Sequence, residues 1–198
     1  MKTYEIKKFS GWDGIEKLDI NIPYLDTPDY ITANAQIAWD DDAILVHLST
    51  SEPTTRATEE GELGSPWFDS CLEFFFRPME DEMRYFNIEF NSLGTVFLGF
   101  GENVDELTRL IIDKEKIFAP EINKYEGGWE IFYRVPYSYI RIFFPDFKVY
   151  HGKQIYANCY KCADYSEPPH YLSWNEVDRG EDFTFHRPDR YGKMIFVE

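Results

Sequence analysis

The chain is broken into short β-favouring runs by glycine, proline, aspartate and asparagine, and this punctuation narrows its folds more than any other feature. Cys71 to Arg77 is almost continuously apolar and stops at Pro78. Tyr85 to Asn91 alternates, with Phe86, Ile88 and Phe90 on one side and Tyr85, Asn87, Glu89 and Asn91 on the other. Asn91-Ser92-Leu93-Gly94 reads as a hairpin turn, with Thr95 to Phe100 as the return strand. Ala43 to Leu48, Trp129 to Val135, Gln154 to Lys161 and Lys193 to Val197 continue the pattern. Strands of this length and spacing predict an all-β fold, an antiparallel, jelly-roll-like β-sandwich, as one domain over residues 1–198. Glu102 to Ile112 reads as a short helix or irregular excursion, and Tyr137 to Phe144 as holding one helical turn. Ser49 to Pro66 and Ala163 to Arg190 are long and irregular, apart from a short strand around Tyr171 to Trp174, and such loops often carry function.

Charge limits the partners. The 198 residues carry 36 acidic against 20 Lys and Arg side chains, a formal net charge of -16. A surface of that sign repels phosphate backbones and anionic lipid, so neither a nucleic acid nor a membrane is expected as partner. No apolar run approaches the ~20 residues of a membrane helix. The N-terminal residues lack a signal-peptide-like apolar stretch, which predicts a cytoplasmic location if this is the full native sequence.

Chemical motifs are sparse. No nucleophile elbow, H-E-x-x-H or phosphate-binding glycine loop occurs. Cys159 and Cys162 form a C-x-x-C, but strand residues three apart point to opposite faces, so no joint chemistry is expected there. Cys71 reads as a small core residue. Asp40-Asp41-Asp42 lacks EF-hand spacing and reads as a solvated turn, with a structural calcium as the alternative.

Aromatic residues make up 18% of the chain; core packing accounts for most of them and leaves the question of which few stand free. Trp67 stands where a long loop meets a strand, followed by Asp69 and Glu73. A sugar has apolar C–H faces and a polar rim, so an aromatic platform beside fixed polar groups is the expected way to hold one. Glu73, Asn87 and Glu89 on adjacent strands supply that rim. Trp12, Trp39 and Trp129 read as packing residues, and Trp174 as core or as an alternative platform.

These segments resemble carbohydrate-binding module family 9. The similar stretches are Asp41-Asp42-Ala43-Ile44-Leu45-Val46, Pro66-Trp67-Phe68-Asp69-Ser70 with Glu73-Phe74-Phe75, and Tyr85 to Asn91 with Gly94-Thr95. Leu172-Ser173-Trp174 and Phe185 to Lys193 complete the ordered set. The resemblance implies a β-sandwich that binds a mono- or oligosaccharide without catalysis, in glycan utilisation. It implies a sugar clamped between Trp67 and Phe185, a position where the best-known members have tryptophan. Glu73 matches a hydrogen-bonding position, Asn87 falls where some members place arginine, and Asp182 lies near another polar contact. Structural calcium is a further implication. Two readings stay open beside this one. In one, Asp69, Glu73 or Glu89 hydrolyse a glycosidic bond. In the other, the sandwich is an interaction protein with a decayed site. Oligomeric state is not legible.

Overall fold

The structure is a computed structural model and describes residues 1–178 and 183–198. Its described strands are β1 (Thr3–Lys8), β2 (Leu18–Ile20), β3 (Ile22–Tyr24), β4 (Thr32–Trp39), β5 (Ala43–Ser51), β6 (Cys71–Arg77), β7 (Tyr85–Asn91), β8 (Val96–Gly101), β9 (Thr108–Arg109), β10 (Glu121–Tyr125), β11 (Gly128–Pro136), β12 (Gln154–Ala163), β13 (His170–Ser173) and β14 (Gly192–Val197). They join in the order β10-β11-β5-β4-β1-β14-β12-β6-β7-β8-β9, with β2 beside β4 and β13 bridging β12 to β3. The sheet curls until distant strands face each other: Phe90 of β7 lies 5.1 Å from Tyr133 of β11. No helix among the described residues is long and apolar enough to cross a membrane.

The all-β expectation holds, but the sheet is mixed rather than antiparallel. β1 runs parallel to both β14 and β4 and closes the seam between the two halves. A purely antiparallel reading follows from hairpins between neighbouring segments. The N-terminal strand pairs instead with strands far along the chain, where no tight turn fixes direction.

Local predictions stand where local chemistry decides. Asn91 to Gly94 turns β7 into β8, with Gly94 at φ 78°. Asn91 Oδ1 accepts the Leu93 and Thr95 amides at 3.0 and 2.9 Å and fixes that turn. Residues Tyr137–Phe143 form a helix, and Glu102 to Ile112 is an excursion with a single 3-10 turn at Val104–Glu106. Trp129 is fully buried and Trp174 nearly so. Trp174 lies over Gly192, where any Cβ would collide with the indole, so it is core and not a platform.

Two layers of burial matter for function. Inward-facing side chains such as Phe74, Phe76, Phe86 and Phe90 fill the main core. The opposite face of β6, β7 and β12 is also covered, by a second cluster of Phe75, Tyr85, Tyr160, Phe185 and Tyr191. All seven residues of β6 and all seven of β7 are therefore buried. The alternation of Tyr85 to Asn91 gives the faces correctly, but the polar face meets loops rather than water. Cys159 and Cys162 fall into different clusters, on opposite faces as expected.

Candidate functional site

Trp67 is held in place from both sides. Residues Pro66–Phe68 form a 3-10 turn. The Trp67 carbonyl accepts the Asp164 amide at 3.0 Å, and the Phe68 carbonyl accepts the Tyr165 amide at 3.1 Å, tying the turn to the end of β12. Phe68 stacks on Tyr165 at 4.3 Å with an 8° interplanar angle. The Trp67 indole packs edge-on to Phe68 and Phe97 at 5.5 and 5.2 Å, which leaves the ring half-buried.

The preceding loop is pinned by Asp69, which is wholly buried. Its Oδ2 accepts the amides of Thr58 and Glu59 at 2.8 and 2.7 Å and the Asn91 Nδ2 at 2.9 Å. The Arg56 guanidinium lies 3.3 Å from its other oxygen. With its oxygens bonded to loop and turn, Asp69 is a fastening and has no room to act as acid, base or sugar acceptor.

Trp67 overhangs a cleft of about 540 Å³ in which Glu73, Glu89 and Asp164 meet Tyr171, Phe183 and Phe185. Glu73 and Glu89 pair across β6 and β7 and are 2% and 4% exposed. Burial pushes the Glu73 carboxyl up to about 8, with Asp164 adding to the rise while Cys162 and Lys161 oppose it. Burial, then the charge of Glu73, raises Glu89 further, and burial raises Asp164. Glu73 therefore retains a proton near neutrality, so the floor can both donate to and accept from hydroxyls.

Trp67, Glu73 and Phe185 thus reach one cleft. No ring contact joins Trp67 to Phe185 among the described residues. Phe185 is 8% exposed, stacks on Tyr160 at 4.1 Å, and serves as the back wall. Phe183 is more open and stacks on Tyr24 at 4.6 Å. Asn87 lies on the same sheet face, fully buried and outside the cleft lining. Its amide atoms lack a hydrogen bond of good geometry, though the group lies near enough to Glu89 to favour that residue's ionised form. Asp182 lies outside the described residues. Asp164, Tyr171, Phe97 and His186 were not legible in the sequence as cleft residues. His186 reaches the cleft because its Nδ1 meets the Tyr85 hydroxyl at 2.7 Å, and burial lowers its pKa to about 4.

The acidic turn is held by its own hydrogen bonds and by Lys8. Asp40 Oδ1 accepts the Asp42 and Ala43 amides, and Asp41 pairs with Lys8 at 2.7 Å. Among the described residues, the three-donor cluster that does form is Cys71, Glu73 and Cys162, within 4.8 Å of one another. Two sulfurs make that a set for soft metals rather than a hard cation.

The raised carboxyls carry a stability cost. A folded-state value above the ordinary one favours the unfolded, ionised chain once pH exceeds about 4.5, and fully so above about 8. Glu73→Gln should therefore raise Tm at neutral pH by roughly 2–8 °C, for a gain of about 1–2 kcal/mol. Calorimetric scans across that interval should show wild-type Tm climbing as pH falls and the variant's changing less. An unchanged Tm and pH profile would refute the assignment.

A curled β-sandwich with an aromatic-walled, acid-floored cleft has the build of a carbohydrate-binding module. The carbohydrate-binding family 9 model matches residues 14–196, and the chain belongs to that family. It is similar to a solved protein of Bacteroides uniformis described as a candidate carbohydrate-binding protein. The identity is 26%, the TM-score 0.80, and the match covers 98% of this chain and 99% of that one. A family 9 module of Caldicellulosiruptor kristjanssonii in complex with cellotriose shares the fold at TM-score 0.69 and 13% identity, covering 99% and 94% of the two chains. A glucose complex from the same organism does so at TM-score 0.72 and 14% identity, covering 98% and 95%. No curated protein matches the chain.

Proposed function

We propose that the cleft beside Trp67 holds one or two pyranose units and performs no chemistry on them, as a binding step in glycan utilisation. The observation that carries this reading is the half-buried Trp67 indole lining one cleft of about 540 Å³ with Glu73 and Glu89. A pyranose C–H face stacks on the indole while its hydroxyls exchange hydrogen bonds with the carboxyls. Phe183 and Tyr171 close the opposite side. The glucose and cellotriose seen in the Caldicellulosiruptor modules make gluco-configured sugars the first ligands to try. Against hydrolysis stands the engagement of Asp69 by the loop, which removes one of the three carboxyls that chemistry would draw on.

Calorimetric titration of mono- and oligosaccharides, with and without calcium, tests the reading. Wild type should bind with a Kd between about 1 μM and 1 mM. Trp67→Ala, shown to be folded by circular dichroism, should weaken binding roughly 30-fold or more, since a lost aromatic contact is worth ~2 kcal/mol. Equal affinity in the folded variant, or no sugar bound by wild type, would overturn it.

A further inference from the structure

The charge in the cleft points to a narrower ligand class. We infer that this cleft selects a sugar bearing a free amino group, bound as its ammonium, over the matching neutral or acidic sugar. The inference rests on the sugar-binding reading above and adds the feature that distinguishes one sugar from another.

Three carboxyls line the cleft, and no lysine or arginine does among the described residues. The cations close enough to be felt are committed elsewhere. Lys161 Nζ sits 3.3 Å from Glu52 and donates to the Cys162 carbonyl at 3.0 Å. Arg109 donates to the carbonyls of Glu62, Leu63 and Gly64 and lies over Phe97. His186, bonded to Tyr85, carries no charge near neutral pH.

One atom is left over. Glu89 Oε2 is buried with no hydrogen bond of good geometry, the Asn87 amide being its near neighbour, on a side chain that lines the cleft and is only 4% exposed. A buried acceptor left unpaired is costly, and costlier when it shares its site with a second carboxyl. A hydroxyl from a neutral sugar satisfies the acceptor but offers the crowded carboxyls no counter-charge. An ammonium brings three donors and a positive charge that favours ionisation of the carboxyl it meets, in a site whose two glutamates are nearly sealed from water. The indole face of Trp67 adds cation–π attraction. A uronate brings a negative charge into a site that already disfavours carboxylate charge, and it binds least.

Calorimetry at neutral pH with glucosamine, N-acetylglucosamine, glucose and glucuronate, and with β-1,4-linked oligomers of the first three, separates the outcomes. N-acetylglucosamine keeps the nitrogen and removes the charge. The amino sugars should bind about tenfold tighter than their glucose counterparts, the equivalent of ~1.4 kcal/mol. Glucuronate should bind least, and added salt should erode the amine's advantage. Folded Glu89→Gln should bring amine and neutral sugar to within about twofold of each other. Should that variant fail to fold, Asp164→Asn carries the same comparison. Glucose binding as tightly as glucosamine overturns the inference and leaves sugar binding intact. An amine preference that survives in the folded variants also overturns it. A folded wild type that binds no sugar brings down both readings.

Discussion

Lys161→Met should cost the protein about 3–5 kcal/mol of stability and lower Tm by roughly 6–20 °C. Lys161 has no exposed surface, yet its charge sits deep in the sandwich on β12. Its Nζ lies 3.3 Å from Glu52 Oε2, 2.9 Å from His170 Nε2 and 3.0 Å from the Cys162 carbonyl. Glu52 in turn accepts the Ser70 hydroxyl, and Ser70 Oγ accepts the Trp129 indole N–H at 2.8 Å. Methionine matches the volume but supplies no charge, so a wholly buried carboxylate loses its cation. Burial alone would raise Glu52; the His170 hydrogen bond, the Lys161 charge and the Ser70 hydroxyl outweigh it and hold the group near 2. A folded value below the ordinary 4.5 means that Glu52 stabilises the fold above that pH and loses its contribution as pH falls toward 2. Thermal scans from neutral to acid pH should show wild type losing stability in that interval, and the variant losing less because less remains. A variant as stable as wild type would show that the buried pair contributes nothing net.

Asp69→Ala should destabilise the protein by about 2–4 kcal/mol and weaken sugar binding about tenfold, although Asp69 touches no ligand. The carboxylate, itself wholly buried, satisfies the Thr58 and Glu59 amides and the buried Asn91 side chain. Its removal unfastens residues 52–65 just before the Trp67 turn and strips the same contact from the β7–β8 hairpin. Positioning and stability fall together because one side chain serves both. Limited proteolysis should reveal new cleavage within 52–65, and calorimetry the loss of affinity. Asp69→Asn keeps one acceptor oxygen and should fall between. Undiminished affinity in a folded Asp69→Ala chain would show that Trp67 is positioned by its ties to Asp164 and Tyr165 alone.

Much of the architecture is local and was readable. Alternation over Tyr85 to Asn91 assigned two strand faces, the asparagine and glycine of the hairpin fixed its turn, and strand geometry separated Cys159 from Cys162. Ring size and hydrogen-bonding groups single out Trp67 and Glu73 as candidates, and both line the cleft. These signals need only a handful of consecutive residues, because side-chain direction and turn geometry are set by neighbouring dihedral angles. The fold alone decided what depends on distant pairing. It inserted β1 parallel to its neighbours, roofed the polar face of β7, and turned Asp69 from a candidate acid into a fastening. It made Phe185 a wall against Tyr160, set Asp164 beside Trp67, and brought His186 to Tyr85 across 101 residues of chain. No local propensity encodes such meetings; they follow from which strand edges close together when the apolar faces are buried, and that closure also concentrates three carboxyls where water is scarce.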